Sequence, residues 1–327
     1  MVERIWNFLG AAVSRAEEKT VMKLKHWQEV NKDGKLHKSV KFPVVGQVKK
    51  DGVYALILVL QTRTLIFNRT GRLMTNVQHL ERELHSALFP NGVYIAELCN
   101  DFCSLEVLSG IVNPNRTKDL DDEQAELAQN LHLYLHDNLT IDEFVQGKSD
   151  RTYKDRVARM RTNLTMCPPG HYTILDYVSC NTLEQVEAYA KHCIDMGEEG
   201  AVFKPETGWE AGHKGWRMMK WVREVNYDLL CVGIEEGKGK YTGKVANLLL
   251  RWQGGEVIKA MLGKGWTHDD ATKMFDGYTS MLMDGPPHPN NPYMRVYRVR
   301  GLSDSSKGKI RLPKVMEERH DKTVGDF

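Results

Sequence analysis

From residue 41 onward the chain is a series of short apolar runs separated by Gly, Asn and Asp, a pattern that predicts β-strands joined by turns. The first runs are VVGQV, VYALILVL, RTLIFN, GVYIAELC and LHLYLHD. Between and after them, apolar residues recur at helical spacing, which predicts helices over residues 76–88, 119–130, 153–164 and 183–196. The first 35 or so residues also have an apolar stripe with charges between, so we expect them to be helical.

A second series of short strands follows in the last third of the chain. After AVFKP and RMMKWV come LLCVGI, ANLLLRW, VIKAML, MRVYRV and KIRL. The first part mixes strands and helices without regular alternation, which predicts an α+β domain built on antiparallel sheets. About 100 residues of short strands predict a small β-barrel. We therefore expect one domain over residues 1–227 and a second over 228–327.

Composition narrows the class of protein. The 327 residues suit two domains of about 150 residues each. A net charge of +2, from 45 basic and 43 acidic residues, excludes a wholly basic nucleic-acid binder but permits local basic faces. No apolar run approaches the ~18 residues of a membrane helix, and the N-terminus lacks a signal-peptide layout. The six cysteines form no CxxC pair, so we expect reduced thiols in a cytoplasmic protein without a membrane segment.

The most informative segment is QVKKDG, residues 47–52. A strand ends there at an Asp-Gly turn, and alternation places Gln47, Lys49 and Asp51 on one face and Lys50 on the other. A lysine and a carboxylate at a strand end could form a nucleophilic amine site. A solvated hairpin turn explains the same residues equally well. The segment alone leaves both interpretations open.

The order of further motifs decides between them. The K-x-D-G of residues 49–52 resembles motif I of the covalent nucleotidyltransferases, the superfamily of ATP-dependent DNA ligases, RNA ligases and mRNA capping enzymes. Segments resembling its other motifs follow in the family's order: FNRTG (67–71), YIAEL (94–98, motif III), LYLHD (133–137, motif IIIa), EGAVFK (199–204, motif IV), MKWV (219–222, motif V), and RLP (311–313) with RHDK (319–322, motif VI). The resemblance covers about residues 43–322, nearly the whole chain.

The resemblance implies a lysine–AMP intermediate made from ATP with Mg²⁺. A lysine attacks phosphorus only as the neutral amine, so its pKa must fall from about 10.4. The implied catalytic residues are Lys49, Asp51, Glu199 and Lys220, and the implied metal ligands are Glu97 and Glu199. The implied nucleotide contacts are Gln47 at the adenine edge, Arg69 and Glu97 at the sugar, Lys204 and Lys220 at the α-phosphate, and Arg319, Asp321 and Lys322 at the β- and γ-phosphates.

Three positions need separate comment. In the family an aromatic ring stacks on adenine at the position of His136, and an imidazole can also stack, with Tyr134 as the alternative on the same face. Motif I usually continues Gly-x-Arg, whereas Tyr54 stands here. Motif V usually has a second lysine, whereas Val222 stands here. The last two changes each remove a cation near the nucleotide.

The resemblance implies an ATP-dependent DNA ligase of the small type carried by bacteriophages. Its fold would be a nucleotidyltransferase domain with ATP-grasp-like antiparallel sheets and helices, followed by an OB-fold β-barrel. We expect it to act as a monomer on nicked double-stranded DNA, in the host cytoplasm if it is viral. The alternatives are an RNA ligase, a capping-type nucleotidyltransferase, and a non-enzymatic OB-type nucleic-acid binder, which would need no lysine–carboxylate series.

Overall fold

The computed structural model describes residues 3–10, 19–32, 34–283, 288–302 and 308–327. The chain divides into two compact units, Met1–Val222 and Arg223–Phe327, here called unit 1 and unit 2. The division lies between residues 222 and 223, a few residues before the expected boundary after residue 227.

Unit 1 contains helices and strands in an irregular order. Its helices are α1 Ile5–Leu9, α2 Trp27–Val30, α3 Gln78–Ser86, α4 Leu105–Ile111, α5 Asp122–Gln129, α6 Ile141–Val145, α7 Tyr153–Leu164 and α8 Leu183–Asp195. Its strands are β1 Lys23–His26, β2 Asn31–Lys32, β3 Lys35–Leu36, β4 Val44–Lys49, β5 Val53–Leu60, β6 Arg63–Asn68, β7 Gly92–Cys99, β8 His132–Leu139, β9 Lys148–Ser149, β10 Tyr172–Ile174, β11 Val178–Cys180, β12 Gly200–Pro205, β13 Trp209–Glu210 and β14 Lys214–Val222.

Two five-stranded sheets form the body of unit 1. Sheet A has the order β1-β14-β12-β4-β11, and sheet B has the order β10-β8-β7-β5-β6. Sheet B is buried on both faces, because the VYALILVL run of β5 sends apolar side chains to two separate cores. One core lies against α3 and α7, and the other lies between the sheets. A third core joins sheet A to α8. The site described below lies where the two sheets face each other.

The helical prediction for the N-terminal region is wrong for most of the described residues there. Lys23–His26 is a strand that pairs in parallel with β14, and a short hairpin of β2 and β3 follows it. Pairing with a sheet edge, rather than local periodicity, decides this segment. Residues 11–18 of the predicted helix lie outside the described residues. The strand predictions from residue 44 to residue 222 are confirmed.

Unit 2 is a closed barrel with the strand order β15-β16-β17-β19-β18. Its strands are β15 Val225–Glu236, β16 Val245–Arg251, β17 Val257–Leu262, β18 Val296–Gly301 and β19 Lys314–Glu318, and helix α9 spans His268–Leu282. Its apolar core is formed by residues of unit 2 alone. The barrel confirms the predicted α+β fold with a C-terminal OB-type domain. No helix in the described part of the chain is long and apolar enough to cross a membrane.

Two details of unit 2 differ from the sequence prediction. The prediction of a strand at KIRL is wrong, because Ile310 makes only an isolated bridge and Leu312 has a positive φ of 50°. The strand instead begins at Lys314, where pairing with both β17 and β18 closes the barrel. Helix α9 was not predicted, although Thr267 and Asp270 form a capping box at its start.

Candidate active site

A cleft lies between the two sheets of unit 1. Sheet A contributes polar side chains from β4 and β12, and sheet B contributes them from β5, β7 and β8. The side chains that carry the chemistry of this cleft are Gln47, Lys49, Tyr54, Glu97, His136 and Lys204, with apolar walls from Leu24, Val202 and Met218. The structure therefore brings together residues that are up to about half the chain apart in sequence.

Lys49, at the end of β4, forms an ion pair with Glu199. Both side chains are largely buried, with 16% and 13% of their surface exposed. The register of β4 and β12 explains the pairing, because Gly200 lies directly opposite Lys49. Gly200 has a φ of +150°, and a Cβ there would lie 2.1 Å from the carbonyl oxygen of Trp221. Only glycine fits this position, and it brings the preceding carboxylate to the lysine.

The neighbouring lysine has its own partner. Lys50 pairs with Glu198, and its Nζ lies 4.8 Å from the centre of the Tyr134 ring. The two adjacent lysines are thus held by two adjacent glutamates. Two rings were candidates for stacking on the base. Tyr134 makes a cation–π contact with Lys50, whereas His136 lines the cleft beside Gln47.

The Asp-Gly turn after β4 packs against β7. A Cβ on Gly52 would lie 2.5 Å from the carbonyl oxygen of Leu98, so the turn can approach β7 only with glycine here. The Gly52 amide donates a hydrogen bond to Glu97. Asp51 itself is exposed. The turn therefore reaches Glu97 through the Gly52 amide, and the charge of Asp51 raises the pKa of Glu97.

Glu97 lies in β7, close to the Lys49–Glu199 pair. Burial raises its pKa to about 7; the charge of Lys49 lowers the pKa, and Glu199 and Asp51 raise it. The charges of Lys49, Glu199 and Asp51 therefore all act on Glu97, and Lys49 and Glu199 are in direct contact with each other.

Lys204 lies at the other end of the cleft. Only 3% of the residue is exposed, and its Nζ donates to Gln47 Oε1 at 3.0 Å and to the His136 carbonyl oxygen at 3.5 Å. Nζ also lies 4.0 Å from the centre of the Tyr153 ring. Burial lowers the pKa of Lys204 to about 7.

The position of Lys204 is set by the register of β12 on β4. In the sheet register Lys204 pairs with Val45, four residues along β12 from the glycine opposite Lys49. That separation is about 13 Å along a strand. Lys204 is therefore beside Gln47, at the end expected to hold the base, and its Nζ is bound there. The α-phosphate contact that the resemblance implies for Lys204 stays a prediction.

His136 is held as a neutral ring. Burial lowers its pKa to about 3. Within the described residues its Nδ1 has no hydrogen-bond partner, and the Tyr54 ring stands edge-on to it with 6.1 Å between the centres. The Tyr153 hydroxyl donates to the His136 carbonyl oxygen at 2.7 Å, which anchors the backbone at this point.

A buried ion pair beneath the cleft was not predicted from the sequence. Arg156 donates through Nε and Nη2 to the two carboxylate oxygens of Asp137, at 2.8 and 2.9 Å. Arg156 falls on the same helix face as Tyr153, Val157 and Met160, all buried. An arginine on an apolar helix face is a signal for a buried partner, and the aspartate of motif IIIa supplies it. Tyr54, which stands where motif I usually has an arginine near the nucleotide, lines the cleft with its ring.

Arg69 and Lys220 lie near the cleft but not at its centre. Arg69 lines an adjacent cavity with Asn68 and Met74, and Tyr54 lines both cavities. Lys220 pairs with Val202 across β12 and β14, so the register places it on the face that borders the cleft. Val222, where the family has a second lysine, is 5% exposed and lies opposite Gly200.

The motif VI residues form a separate cluster in unit 2. Asp228, on β15, accepts from Arg319 Nη1 at 2.5 Å and from Lys322 Nζ at 2.6 Å. Arg319 also binds Asp321 through two hydrogen bonds, at 2.8 and 2.6 Å. Burial raises the pKa of Asp228, but Lys322 and Arg319 outweigh it, so the pKa is lowered overall. The sequence did not identify Asp228 as the common partner.

Across the described residues, no group of three or more His, Cys, Asp or Glu side chains is arranged to bind a metal ion. Glu97 and Glu199 are the two carboxylates beside Lys49. Two carboxylates fit Mg²⁺, which commonly takes only one or two from the protein and completes its shell with water and substrate phosphates.

Comparison with known proteins identifies relatives of unit 1. A family model described as ATP-dependent DNA ligase domain matches residues 25–221. A DNA ligase 2 of Korarchaeum cryptofilum is 33% identical over 103 residues, 28% of this chain and 17% of that protein. A DNA ligase of Saccharolobus solfataricus is 24% identical over 217 residues, 62% of this chain and 35% of that protein. The matched region thus spans well under half the length of these curated relatives.

Solved structures with the same fold extend the comparison to both units. The structure described as Pmar-Lig_Pre is 18% identical and has a TM-score of 0.69, covering 93% of this chain and 68% of that one. A structure from a study of Lig E DNA ligases is 13% identical and has a TM-score of 0.66, covering 91% and 98%. At these identities the likeness supports the fold: a nucleotidyltransferase-type domain followed by an OB-type barrel.

Proposed function

The chain belongs to the ATP-dependent DNA ligase family, and from this premise we propose that it seals nicks in double-stranded DNA through a lysine–AMP intermediate on Lys49. The single observation that carries the proposal is the cleft itself. A lysine ends a strand at its mouth, paired with a glutamate, and a glutamine, a neutral imidazole and a second carboxylate line the same cavity. A nucleotide needs these partners: a polar edge for the base, a ring for its face, and charge near the phosphate.

In the first step the neutral Lys49 amine attacks the α-phosphorus of ATP. A nitrogen–phosphorus bond forms, the bond to the bridging oxygen breaks, pyrophosphate leaves, and the amine gives up a proton. The Lys49–Glu199 ion pair supports this role, because a carboxylate in contact with the amine can take that proton or orient the lysine. When bound, Mg²⁺ would neutralise charge on the phosphates, and Glu97 and Glu199 are the side chains that would hold it.

The later steps use the stored AMP. AMP passes from Lys49 to the 5′-phosphate at a nick, forming a phosphoanhydride and freeing the lysine. The 3′-hydroxyl then attacks that phosphate, the strands are joined and AMP leaves. The curated relatives are named DNA ligases, which supports DNA as the substrate. We propose that the protein acts as a monomer and contacts the DNA backbone, because sealing must work at any sequence.

The nucleotide pocket fits adenine through Gln47, whose amide oxygen can accept from the exocyclic amine. His136 is the ring proposed to stack on the base. It lines the cleft beside Gln47, whereas the Tyr134 ring is engaged by Lys50. Tyr54, in place of the family's arginine, brings an aromatic edge rather than a charge to this wall.

The test is covalent labelling with α-³²P ATP, followed by a denaturing gel. The wild-type protein should carry acid-labile, base-stable label, as a phosphoramidate does. Lys49→Ala should abolish the label. Lys50→Ala should still be labelled, because Lys50 is paired with Glu198. Label that depends on Lys50, or on neither lysine, contradicts the assignment of the nucleophile.

Parallel reactions decide between the classes of nucleotidyltransferase. Label from GTP but not from ATP would indicate a capping-type enzyme. No label from either nucleotide would indicate a non-enzymatic nucleic-acid binder. A nicked duplex and a nicked RNA strand then distinguish a DNA ligase from an RNA ligase. We expect label from ATP and sealing of the DNA nick.

A further inference from the structure

We propose that Lys204 is a positioning residue that locks the side-chain amide of Gln47 in one orientation, and that this lock makes the cleft select ATP over GTP. The inference rests on the proposed function and adds a determinant of nucleotide specificity to it. The motif resemblance implies an α-phosphate role for Lys204 instead.

The two ends of the Gln47 amide have different partners. Its Oε1 accepts from Lys204 Nζ at 3.0 Å, and its Nε2 donates to the Leu175 carbonyl oxygen at 3.4 Å. The Leu175 carbonyl oxygen only accepts, so it can pair with Nε2 and not with Oε1. Lys204 can donate to Oε1 whether its amine is protonated or neutral. Turning the amide by 180° would therefore place two acceptors together at Leu175 and would remove the acceptor of the Lys204 N–H group.

Burial makes that flip costly. Gln47 and Lys204 are 2% and 3% exposed, so water cannot replace the lost bonds. Lys204 is itself held from several sides. Its Nζ lies over the Tyr153 ring and near the His136 carbonyl oxygen, both of which belong to the framework under the cleft. The donor is therefore in place before a nucleotide arrives.

The orientation decides which base edge the cleft can read. An amide oxygen accepts two hydrogen bonds, and Lys204 uses one, which leaves one for a donor in the cleft. Adenine presents an amine at its 6-position, whereas guanine presents a carbonyl oxygen there. A locked acceptor accepts from the first and repels the second. A freely turning glutamine could present its N–H₂ to guanine and would discriminate poorly.

The experiment compares adduct formation from α-³²P ATP and α-³²P GTP in matched variants. Lys204→Met keeps the length of the side chain but has no donor. Lys191→Met is the control, because Lys191 is exposed on α8 and pairs with Asp195 on the same helix. We expect the ATP-to-GTP ratio of rate constants to fall by about tenfold or more in Lys204→Met, with a gain in the GTP reaction, and to be unchanged in Lys191→Met.

The outcomes are distinct. If Lys204→Met slows both nucleotides in the same proportion, Lys204 supports the fold or the charge of the site, and the lock is wrong. If the wild-type protein forms no adduct from ATP, the result contradicts the proposed function itself. That outcome is distinct from a failure of the lock, which requires a wild-type adduct and an unchanged ATP-to-GTP ratio in Lys204→Met. A normal melting temperature for Lys204→Met confirms that the ratio is read on folded protein.

A second measurement needs no change at Lys204. In the ¹⁵N spectrum, the side-chain amide signal that disappears in Gln47→Glu belongs to Gln47. The lock predicts nuclear Overhauser contacts from its N–H₂ protons to Leu175. Contacts to the Lys204 ε-methylene instead would mean the amide is turned the other way, and would overturn the proposal even if Lys204→Met does not fold.

Discussion

Glu97 is surrounded by Lys49, Glu199 and Asp51, and its pKa of about 7 is the property of a single residue with the most direct consequence for pH dependence. A carboxyl group whose pKa is raised in the folded state holds its proton where the unfolded chain has already lost it. Its contribution to stability is therefore fully present below about pH 4.5 and is lost as the pH rises through about 7. Ionisation of Glu97 therefore lowers the stability of the fold.

Glu97→Gln should remove this dependence. The amide does not titrate, so the free energy of unfolding of the variant, relative to wild type, should rise between pH 5 and pH 8, by about 2–3 kcal/mol for a shift from 4.5 to about 7. Urea unfolding at both pH values measures the difference. The same variant should form the lysine–AMP adduct more slowly by orders of magnitude. A stability difference that does not change with pH would contradict the environment described for Glu97.

At the scale of an element, the segment after β19 is organised by one aspartate of β15. Besides Arg319 and Lys322, Asp228 binds Asp326 through two backbone contacts, both 2.7 Å: its N–H donates to Asp326 Oδ2, and its carbonyl oxygen accepts from the Asp326 N–H. Phe327 packs on Tyr227 at 5.5 Å between ring centres. The end of the chain is therefore attached to the first strand of the barrel, with the motif VI cations held at the attachment.

Asp228→Asn should weaken the contacts between β15 and the segment after β19 without removing them all. The asparagine keeps the shape but loses the charge shared by Arg319 and Lys322, which should lower the stability of unit 2. Because the motif VI cations are expected to act on the pyrophosphate of ATP, adduct formation should slow by about tenfold or more. Sealing of a nick adenylated beforehand should continue, since pyrophosphate is absent from that step.

Lys322→Ala should give the same pattern, and Lys259→Ala is the control. Lys259 lies on β17 and pairs with Glu235, and it is a lysine of the same barrel that is not a partner of Asp228. The measurement is a pair of rates for each variant, one from ATP and one from the adenylated nick. If Lys322→Ala slows both equally, the segment serves DNA binding or folding, and the expected role in the first step is wrong.

At the scale of the whole molecule, the two units have separate cores. The three apolar clusters of unit 1 and the one of unit 2 share no residue across the division. A segment with its own core can fold alone. The cleft, with Lys49, Glu199 and Gln47, lies within unit 1, whereas the motif VI residues lie in unit 2.

Residues 1–222 expressed alone should therefore fold and keep the cleft. We expect cooperative thermal unfolding by circular dichroism and retained nucleotide binding, but adduct formation from ATP reduced by about tenfold or more, because the motif VI cations are missing. Lys49→Ala in the same fragment sets the background. Adduct formation at the full-length rate would mean that unit 2 has no part in the first step.

Much of the fold and of the candidate site followed from the sequence because the signals are local. The short apolar runs VYALILVL and GVYIAELC predicted strands whose bounds the structure repeats, and the Asp-Gly turn after Lys49 depends on four consecutive residues. The motif series named Lys49, Glu97, Glu199 and His136, which line or border one cleft. A side chain's face is set by the two-residue period of a strand, so sequence alone can assign it.

The tertiary structure decided what depends on partners distant in the chain. Lys49 and Glu199 are 150 positions apart, and only the register of β4 on β12 brings them into contact. The same register places Lys204 beside Gln47, four residues along the strand from the position opposite Lys49. The N-terminal strand and β19 exist because sheet edges were available to pair with them, which no local pattern records. Local sequence encodes the face and the chemistry of a side chain, whereas its partner is selected by the packing of the whole unit, where burial and register outweigh propensity.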